Sequence, residues 1–124
     1  MLHHVSIEVP PDQGDRSVEF WNLLGFEEVV APEVLGDSVR WVEREGTQVH
    51  LILTEGHTAP VLGHTAVVTP DIDGTLVALT DAGFEAEENR ELWGARRAFA
   101  IGPGGHRVEL MAFPPPPSGN KPAG

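Results

Sequence analysis

The sequence predicts an α+β fold in which one unit, strand–helix–strand–strand–strand, occurs twice in tandem. Local segments match between the two halves: residues 24–26 (LGF) correspond to 82–84 (AGF), and 48–51 (QVHL) to 107–110 (RVEL). In both halves, stretches that alternate apolar and polar residues, typical of half-buried strands, accompany one stretch with helical spacing. A single unit of this kind leaves an apolar sheet face uncovered, and pairing two units is the simplest way to bury it.

The first half is predicted to contain one helix and four strands. Alternation of Val5 and Ile7 with polar residues predicts the first strand, which Pro10 ends. Phe20 lies on the apolar side of the helix that follows, and Gly25 is suited to close that helix. Prolines and glycines separate the remaining strands. The predicted elements are a strand at 4–9, a helix at 15–24 and strands at 27–30, 38–43 and 47–53.

The second half repeats this order. Pro70 ends its first strand, and Gly83 ends its helix. The sequence DIDG at 71–74 favours a helix start over a calcium loop, because no glutamate closes such a loop. The glycine-rich stretch at 102–105 favours a hairpin turn over a phosphate loop, because no lysine or helix follows it. The predicted elements are a strand at 64–69, a helix at 71–82 and strands at 85–88, 96–101 and 106–113.

With 124 residues the chain is most simply one domain. We expect this domain at 1–113, with module one at 2–54, a hinge at 55–60 and module two at 61–113. The remaining residues, 114–124 (PPPPSGNKPAG), have the composition of an extended tail that contributes nothing to the core. We therefore predict a disordered proline-rich tail.

Charge and composition exclude several classes of partner. The chain has 19 acidic residues against 8 Lys and Arg, a net charge of −11, which repels phosphate backbones and anionic membranes. No apolar run approaches the roughly 18 residues of a membrane span, and no signal peptide is recognisable at the N-terminus. Without cysteines, disulfides and thiolate metal sites are excluded. We expect a cytoplasmic protein that binds neither nucleic acid nor membrane.

Four residues form a repeated pattern that is typical of a metal site shared between two modules. His4 and His64 are 60 positions apart, and His50 and Glu109 are 59 apart. Each lies in a predicted strand, and strand parity places His4, His50 and Glu109 opposite apolar neighbours. His64 fits this parity less cleanly because Ala66 and Val68 share its face. Imidazoles with one carboxylate suit a borderline divalent ion such as Zn, Fe(II), Ni, Co or Mn.

Each histidine taken alone also has a simpler explanation. A single histidine in a strand is more often hydrogen-bonded or solvated than a ligand, but four residues at matched positions are harder to explain in that way. His3 is expected on the opposite face from His4. His57 is expected to be solvated in the hinge, and His106, which has the wrong parity relative to Glu109, to be structural.

The chain resembles the vicinal oxygen chelate superfamily, which includes glyoxalases, bleomycin resistance proteins and extradiol dioxygenases. The resemblance covers about residues 2–113 and is carried, in order, by LHHVSIEVP, SVEFWNLLGF, TQVHLIL, LGHTAVVTPD and GPGGHRVELMAF. It implies paired βαβββ modules that form a cleft-shaped, partly open mixed sheet, a homodimer, and one divalent metal ion per cleft. The ligand positions of the family fall here on His4, His50, His64 and Glu109.

Within this family, glyoxalase I is similar in using all four ligand positions, although its second ligand is generally a carboxylate and His50 is neutral. Methylmalonyl-CoA epimerase is similar with a neutral amide at that place. We therefore predict a metal-dependent, glyoxalase-like lyase or isomerase that acts on a small substrate with vicinal oxygens through a metal-bound enediolate. Glu109 is the predicted catalytic base as well as a ligand. Gln48, Arg107 and Trp41 are predicted substrate contacts.

Two alternatives remain open, because the fold does not determine the reaction. A small extradiol dioxygenase would use His4, His64 and Glu109 as its ligands, but substrate contacts in that branch generally include tyrosine, which is absent here. A bleomycin-resistance-type protein would bind no metal and would sequester a cationic drug in an acidic groove. The net charge and the tryptophans at 21, 41 and 93 suit that idea, although Trp21 is expected in the core.

Overall fold

A computed structural model describes residues 1–117, 119 and 121–123, and it contains the predicted order of elements twice. The first set is β1 (His4–Val9), α1 (Gly14–Leu23), β2 (Glu27–Val29), β3 (Val39–Arg44) and β4 (Thr47–Leu53). The second set is β5 (Thr65–Val68), α2 (Ile72–Asp81), β6 (Glu85–Leu92), β7 (Ala95–Gly102) and β8 (His106–Met111). The strand–helix–strand–strand–strand order is therefore confirmed. The main differences are β6, which continues four residues past its predicted end, and β8, which ends two residues early.

The strands form two open, four-stranded mixed sheets. The order is β1-β4-β3-β2 in the first sheet and β5-β8-β7-β6 in the second. In each sheet the first and fourth strands in chain order pair parallel, and the remaining pairs are antiparallel. This arrangement confirms the predicted α+β fold with a partly open mixed sheet.

Both helices end in the same way, which explains why LGF and AGF match. Gly25 and Gly83 adopt positive φ values of 90° and 86°. The following phenylalanine then donates its backbone N–H to a carbonyl in the last turn: Phe26 to Trp21 at 3.0 Å and Phe84 to Leu79 at 2.9 Å. This is the Schellman arrangement, in which glycine avoids the steric cost of a left-handed residue.

One core is shared by both halves. Phe20 and Trp21 of α1 are buried, and Phe20 meets Phe84 of the second half edge-on with ring centroids 5.2 Å apart. On β4 and β8 the side chains of alternate apolar residues enter this core, which leaves the intervening residues on the other face of each sheet. The expected burial of Trp21 is confirmed. The core thus covers one face of each sheet and leaves the opposite face open.

Two polar contacts join the halves directly. His106 lies 2.5 Å from the backbone carbonyl of Glu8 through its Nε2, and its ring is buried. Arg16 of α1 donates to the carbonyl of Ala82 at 2.6 Å and stacks over the Phe84 ring at 3.7 Å. His106 therefore has the structural role expected of it.

The helices and the C-terminal tail bear on the predictions about membranes and disorder. Neither helix among the described residues is long and apolar enough to cross a membrane. The described tail residues are exposed and include no helix or strand, while Ser118, Asn120 and Gly124 of the predicted disordered tail lie outside the described residues. The module and hinge boundaries stay a prediction.

Candidate functional site

The first predicted pair lies on the open face of the first sheet. His4 on β1 and His50 on β4 stack with ring centroids 4.0 Å apart and planes at 16°. Trp41 on β3 is the cross-strand neighbour of His50 and stacks on its other side at 3.9 Å and 2°. The three rings form an aromatic stack, His4–His50–Trp41, across three strands. Since Val49 and Leu51 on the opposite side are buried, the parity predicted for His50 is confirmed.

Hydrogen bonds define the protonation of His50. Its Nε2 lies 2.7 Å from the side-chain carbonyl of Gln48, whose amide in turn donates to Glu43 at 2.9 Å. Because an amide oxygen only accepts, Nε2 carries the proton and Nδ1 keeps the lone pair. Burial lowers the pKa of His50, and the neighbouring His4 and His3 lower it further. His50 is thus kept neutral, the form in which imidazole binds a metal ion.

The second predicted pair lies at the open face of the second sheet, where His64, predicted to begin a strand, instead comes immediately before β5. Nε2 of His64 is 3.1 Å from a carboxylate oxygen of Glu109 on β8. Nδ1 of His64 is 2.9 Å from the backbone carbonyl of Leu62. Ala66 on β5 is exposed while Val67 is buried, so the face that His64 shares with Ala66 is the open one.

The hydrogen bonds of His64 leave a position suited to a cation. A carbonyl only accepts, so Nδ1 of His64 carries the proton in a neutral ring, and its Nε2 lone pair faces the Glu109 carboxylate. Two lone pairs at this distance repel each other unless a positive charge lies between them, supplied by a second ring proton or by a metal ion. The donor set of imidazole nitrogen and carboxylate oxygen therefore fits a divalent ion.

Sequence reasoning missed Arg97. Its Nε donates to the second carboxylate oxygen of Glu109 at 2.5 Å, and one terminal nitrogen donates to the carbonyl of Arg90 at 3.0 Å. Both partners of this salt bridge are only 7% exposed. The alternation on β7 could have identified Arg97, because Arg97 and Phe99 lie on the same face of the sheet as Glu109.

The two predicted pairs do not meet within one chain. Among residues 1–117, 119 and 121–123, no three His, Cys, Asp or Glu side chains lie where they could hold one metal ion. Each sheet brings together its own two candidates, His4 with His50 and His64 with Glu109. The four-ligand site therefore stays a prediction that one chain does not complete.

The remaining predicted residues have defined surroundings. Gln48 bonds His50 and Trp41 stacks on it, so both belong to the first pair's face. Arg107 lies on the second face, with its guanidinium 4.3 Å from the centre of the Phe99 ring. His57, expected to be solvated, instead has its Nδ1 buried, without a hydrogen-bond partner among the described residues.

The fold and the site together define the class of protein: two βαβββ repeats with histidine and carboxylate pairs on open sheet faces. Residues 2–110 match the model of the Glyoxalase/Bleomycin resistance protein/Dioxygenase superfamily. The chain belongs to this superfamily, as its resemblance predicted.

Similar solved structures cover most of the chain. A superfamily member from Sphaerobacter thermophilus is 28% identical with a TM-score of 0.68, covering 90% of this chain and 95% of that one. A glyoxalase family protein from Bacillus anthracis is 22% identical with a TM-score of 0.78, covering 90% and 93%. A lactoylglutathione lyase from Agrobacterium tumefaciens is 15% identical with a TM-score of 0.67, covering 90% and 92%. The latter two likenesses show a shared fold alone. No curated protein matches the chain.

Proposed function

We propose that this chain is a metal-dependent enzyme of the lyase or isomerase type that acts on a small substrate with two adjacent oxygens. The observation that carries the proposal is the pairing of His64 Nε2 with a Glu109 carboxylate oxygen at 3.1 Å, two groups that commonly bind a divalent ion together. The neutral state of His50 supports it, because a protonated imidazole cannot bind a metal. The expected cytoplasmic location is part of the same proposal.

We infer that the site is completed by a second copy of the chain. His4 and His50 on one face, and His64 and Glu109 on the other, each provide two donors, whereas a structural or catalytic site of this type needs three or four. A homodimer in which the first sheet of one chain faces the second sheet of its partner would bring two pairs together. By symmetry it would do so twice, with one Zn, Ni, Co, Fe(II) or Mn ion in each cleft.

The chemistry proposed for the site is proton transfer at a carbon next to the paired oxygens. A divalent ion held by His4, His50, His64 and Glu109 would polarise those oxygens and so acidify the neighbouring C–H bond. Glu109 is the proposed base, because it is the only carboxylate among the four. Arg97 holds one of its oxygens at 2.5 Å and so orients the other towards His64 and the open face. Gln48 fixes His50, and Trp41 forms a flat wall beside it.

Metal content tests the proposal directly. We expect about one Zn, Ni, Co, Fe or Mn per chain in untagged protein by elemental analysis, and at least a tenfold lower content in His64→Ala. His57→Ala is the matched control, since that histidine makes no hydrogen bond through Nδ1 and lies outside both pairs. Stoichiometric metal in a folded His64→Ala protein would contradict the assignment of the ligand.

A second candidate function is a metal-free binding protein for a cationic aromatic drug. The aromatic stack of His4, His50 and Trp41 would suit such a ligand through stacking. Glu43, two residues from Trp41 on the same face of β3, would add a negative charge. The two functions differ in their response to divalent ions. Added Zn or Ni should raise the melting temperature of an enzyme of the first kind and leave that of a drug-binding protein unchanged.

A further inference from the structure

A cavity of about 440 Å³ lies where the two halves of the chain meet. Ile7 of β1, Trp21 of α1, Pro60 of the connecting segment and Val108 of β8 form its apolar walls. His64 lies at one side of it. Its volume is within the roughly 300–1,000 Å³ that small-molecule sites occupy. The cavity is therefore large enough for a ligand and adjoins the proposed metal pair.

Most polar groups that line this cavity already have partners. One carboxylate oxygen of Glu8 accepts from both the backbone N–H and the hydroxyl of Thr58, at 3.2 and 3.1 Å. His106 is bonded to a backbone carbonyl through Nε2, and both ring nitrogens of His64 have neighbours within hydrogen-bond distance. These groups position the walls and leave little capacity for a charged ligand.

Arg107 is the one arginine among the described residues that line the cavity. Its guanidinium stacks on Phe99 at 4.3 Å, and no described residue forms an ion pair or a side-chain hydrogen bond with it. Among the described residues, Arg16, Arg40, Arg96 and Arg97 are bound to carboxylates, whereas Arg44, Arg90 and Arg107 are not. Stacking on Phe99 orients the guanidinium plane, and a planar guanidinium can bind a carboxylate with two parallel hydrogen bonds.

We propose that this cavity binds a small carboxylate with an apolar body, with the carboxylate on Arg107 and the apolar part against Ile7 and Trp21. One negative charge, Glu8, lines the cavity itself, where Thr58 binds one of its oxygens, while exposed charges farther away than about 8 Å are largely screened at physiological ionic strength. The assignment of this carboxylate as the substrate of the enzyme rests on the proposed function, because the cavity adjoins His64. As a binding site, it needs no metal ion.

The proposal is tested by calorimetric titration of the full chain in a buffer that contains a chelator. Phenylacetate is the probe, and the neutral phenylacetamide is its matched control. We expect saturable binding of phenylacetate and at least about tenfold weaker binding of the amide, because a charge-assisted contact is lost. Arg107→Gln should weaken phenylacetate binding by at least about tenfold, whereas Arg90→Gln, which alters an exposed arginine outside the cavity, should not change it.

Equal affinity for the acid and the amide, unchanged phenylacetate binding in Arg107→Gln, or no binding at all would each overturn the proposal. The comparison of the two probes uses the unaltered protein, so it holds even if Arg107→Gln fails to fold. Arg107→Lys then provides a second test. Lysine keeps the positive charge but lacks the planar group that donates two parallel hydrogen bonds. We expect its affinity for phenylacetate to lie between the affinities of the unaltered chain for phenylacetate and for the amide. Because the chelator removes metal, a failure here leaves the metal-content result intact, and the reverse is also true.

Discussion

The buried pair of Arg97 and Glu109 decides how the carboxylate of Glu109 can be used. Arg97 occupies one oxygen, and His64 faces the other. A buried carboxylate without such a partner would be strongly unfavourable, because neither water nor a counter-charge would stabilise it. The same contact that pairs Glu109 in a buried position also orients it, so one arginine has both a structural and a positioning role.

Replacing Arg97 with alanine should therefore lower the free energy of unfolding by about 3 kcal/mol or more, since one buried charge would remain unpaired. Urea denaturation followed by circular dichroism measures this. The double variant Arg97→Met with Glu109→Leu should recover much of the loss, because no charge remains buried. A loss under about 1 kcal/mol in Arg97→Ala, the range of exposed pairs, would mean that the pair is solvated in solution.

In each half of the chain, an arginine on the third strand binds one carboxylate on the helix and one on the second strand, and so connects the helix to its sheet. Arg40 on β3 binds Asp15 in the first turn of α1 at 2.9 Å and Glu28 on β2 at 2.5 Å. Arg96 on β7 makes the corresponding contacts with Asp73 of α2 and Glu88 of β6. The arginine lowers the pKa of Glu28 in the first cluster and of Asp73 and Glu88 in the second, in each case chiefly through the hydrogen bond it donates. The carboxylates are partly exposed, so each contact is modest.

These clusters predict an acid-dependent stability. A carboxylate whose pKa is lowered in the folded state stabilises the protein above its unfolded pKa of about 4.3 for glutamate, and this contribution is lost as the pH falls through the folded pKa. Glu28→Gln should remove less than about 1 kcal/mol at neutral pH and should flatten the fall in melting temperature below about pH 4.5.

Thermal unfolding between about pH 3 and pH 7 measures this pH dependence. Glu27→Gln, the exposed neighbour without an ion pair among the described residues, is the matched control and should keep the full dependence. If Glu28→Gln and the unaltered chain lose stability in parallel on acidification, other groups would be responsible.

At the scale of the whole molecule, the two open sheet faces each have half of the predicted ligand set. The shared core covers the opposite faces, and the cross-contacts of His106 and Arg16 hold the two sheets in one arrangement. A rearrangement within one chain that joined both pairs would expose this core to water, which costs about 25 cal/mol for each Å² of apolar surface. Association of two chains needs no such rearrangement.

Complementation between variants tests the proposed sharing of clefts. Neither His50→Ala nor Glu109→Ala alone should bind metal, but a mixed dimer of the two should regain one ion per dimer. One of its clefts combines the intact histidine pair of one chain with the intact His64–Glu109 pair of its partner. The two variants are co-expressed, each with a different tag that contains no histidine, and the mixed dimer is isolated through both tags. Elemental analysis then measures its metal content.

The control for complementation is a mixed dimer of His4→Ala with His50→Ala. Both changes damage the same pair, so both clefts stay incomplete and no metal should return. If the first mixed dimer also lacks metal while the unaltered protein contains it, the four residues are not shared between chains in the proposed way.

By itself, the sequence determined the order and type of the elements, the helix ends at Gly25 and Gly83, and the face on which His50 and Glu109 lie. These features depend on hydrophobic period and on turn residues, which act over a few positions of the chain. Only the tertiary structure decided the partners: Arg97 on Glu109, Trp41 on His50, Arg107 on Phe99, and the separation of the two ligand pairs within one chain. Cross-strand neighbours depend on register, and the distance between sheets depends on how two helices pack in a common core, so neither is encoded in any local segment.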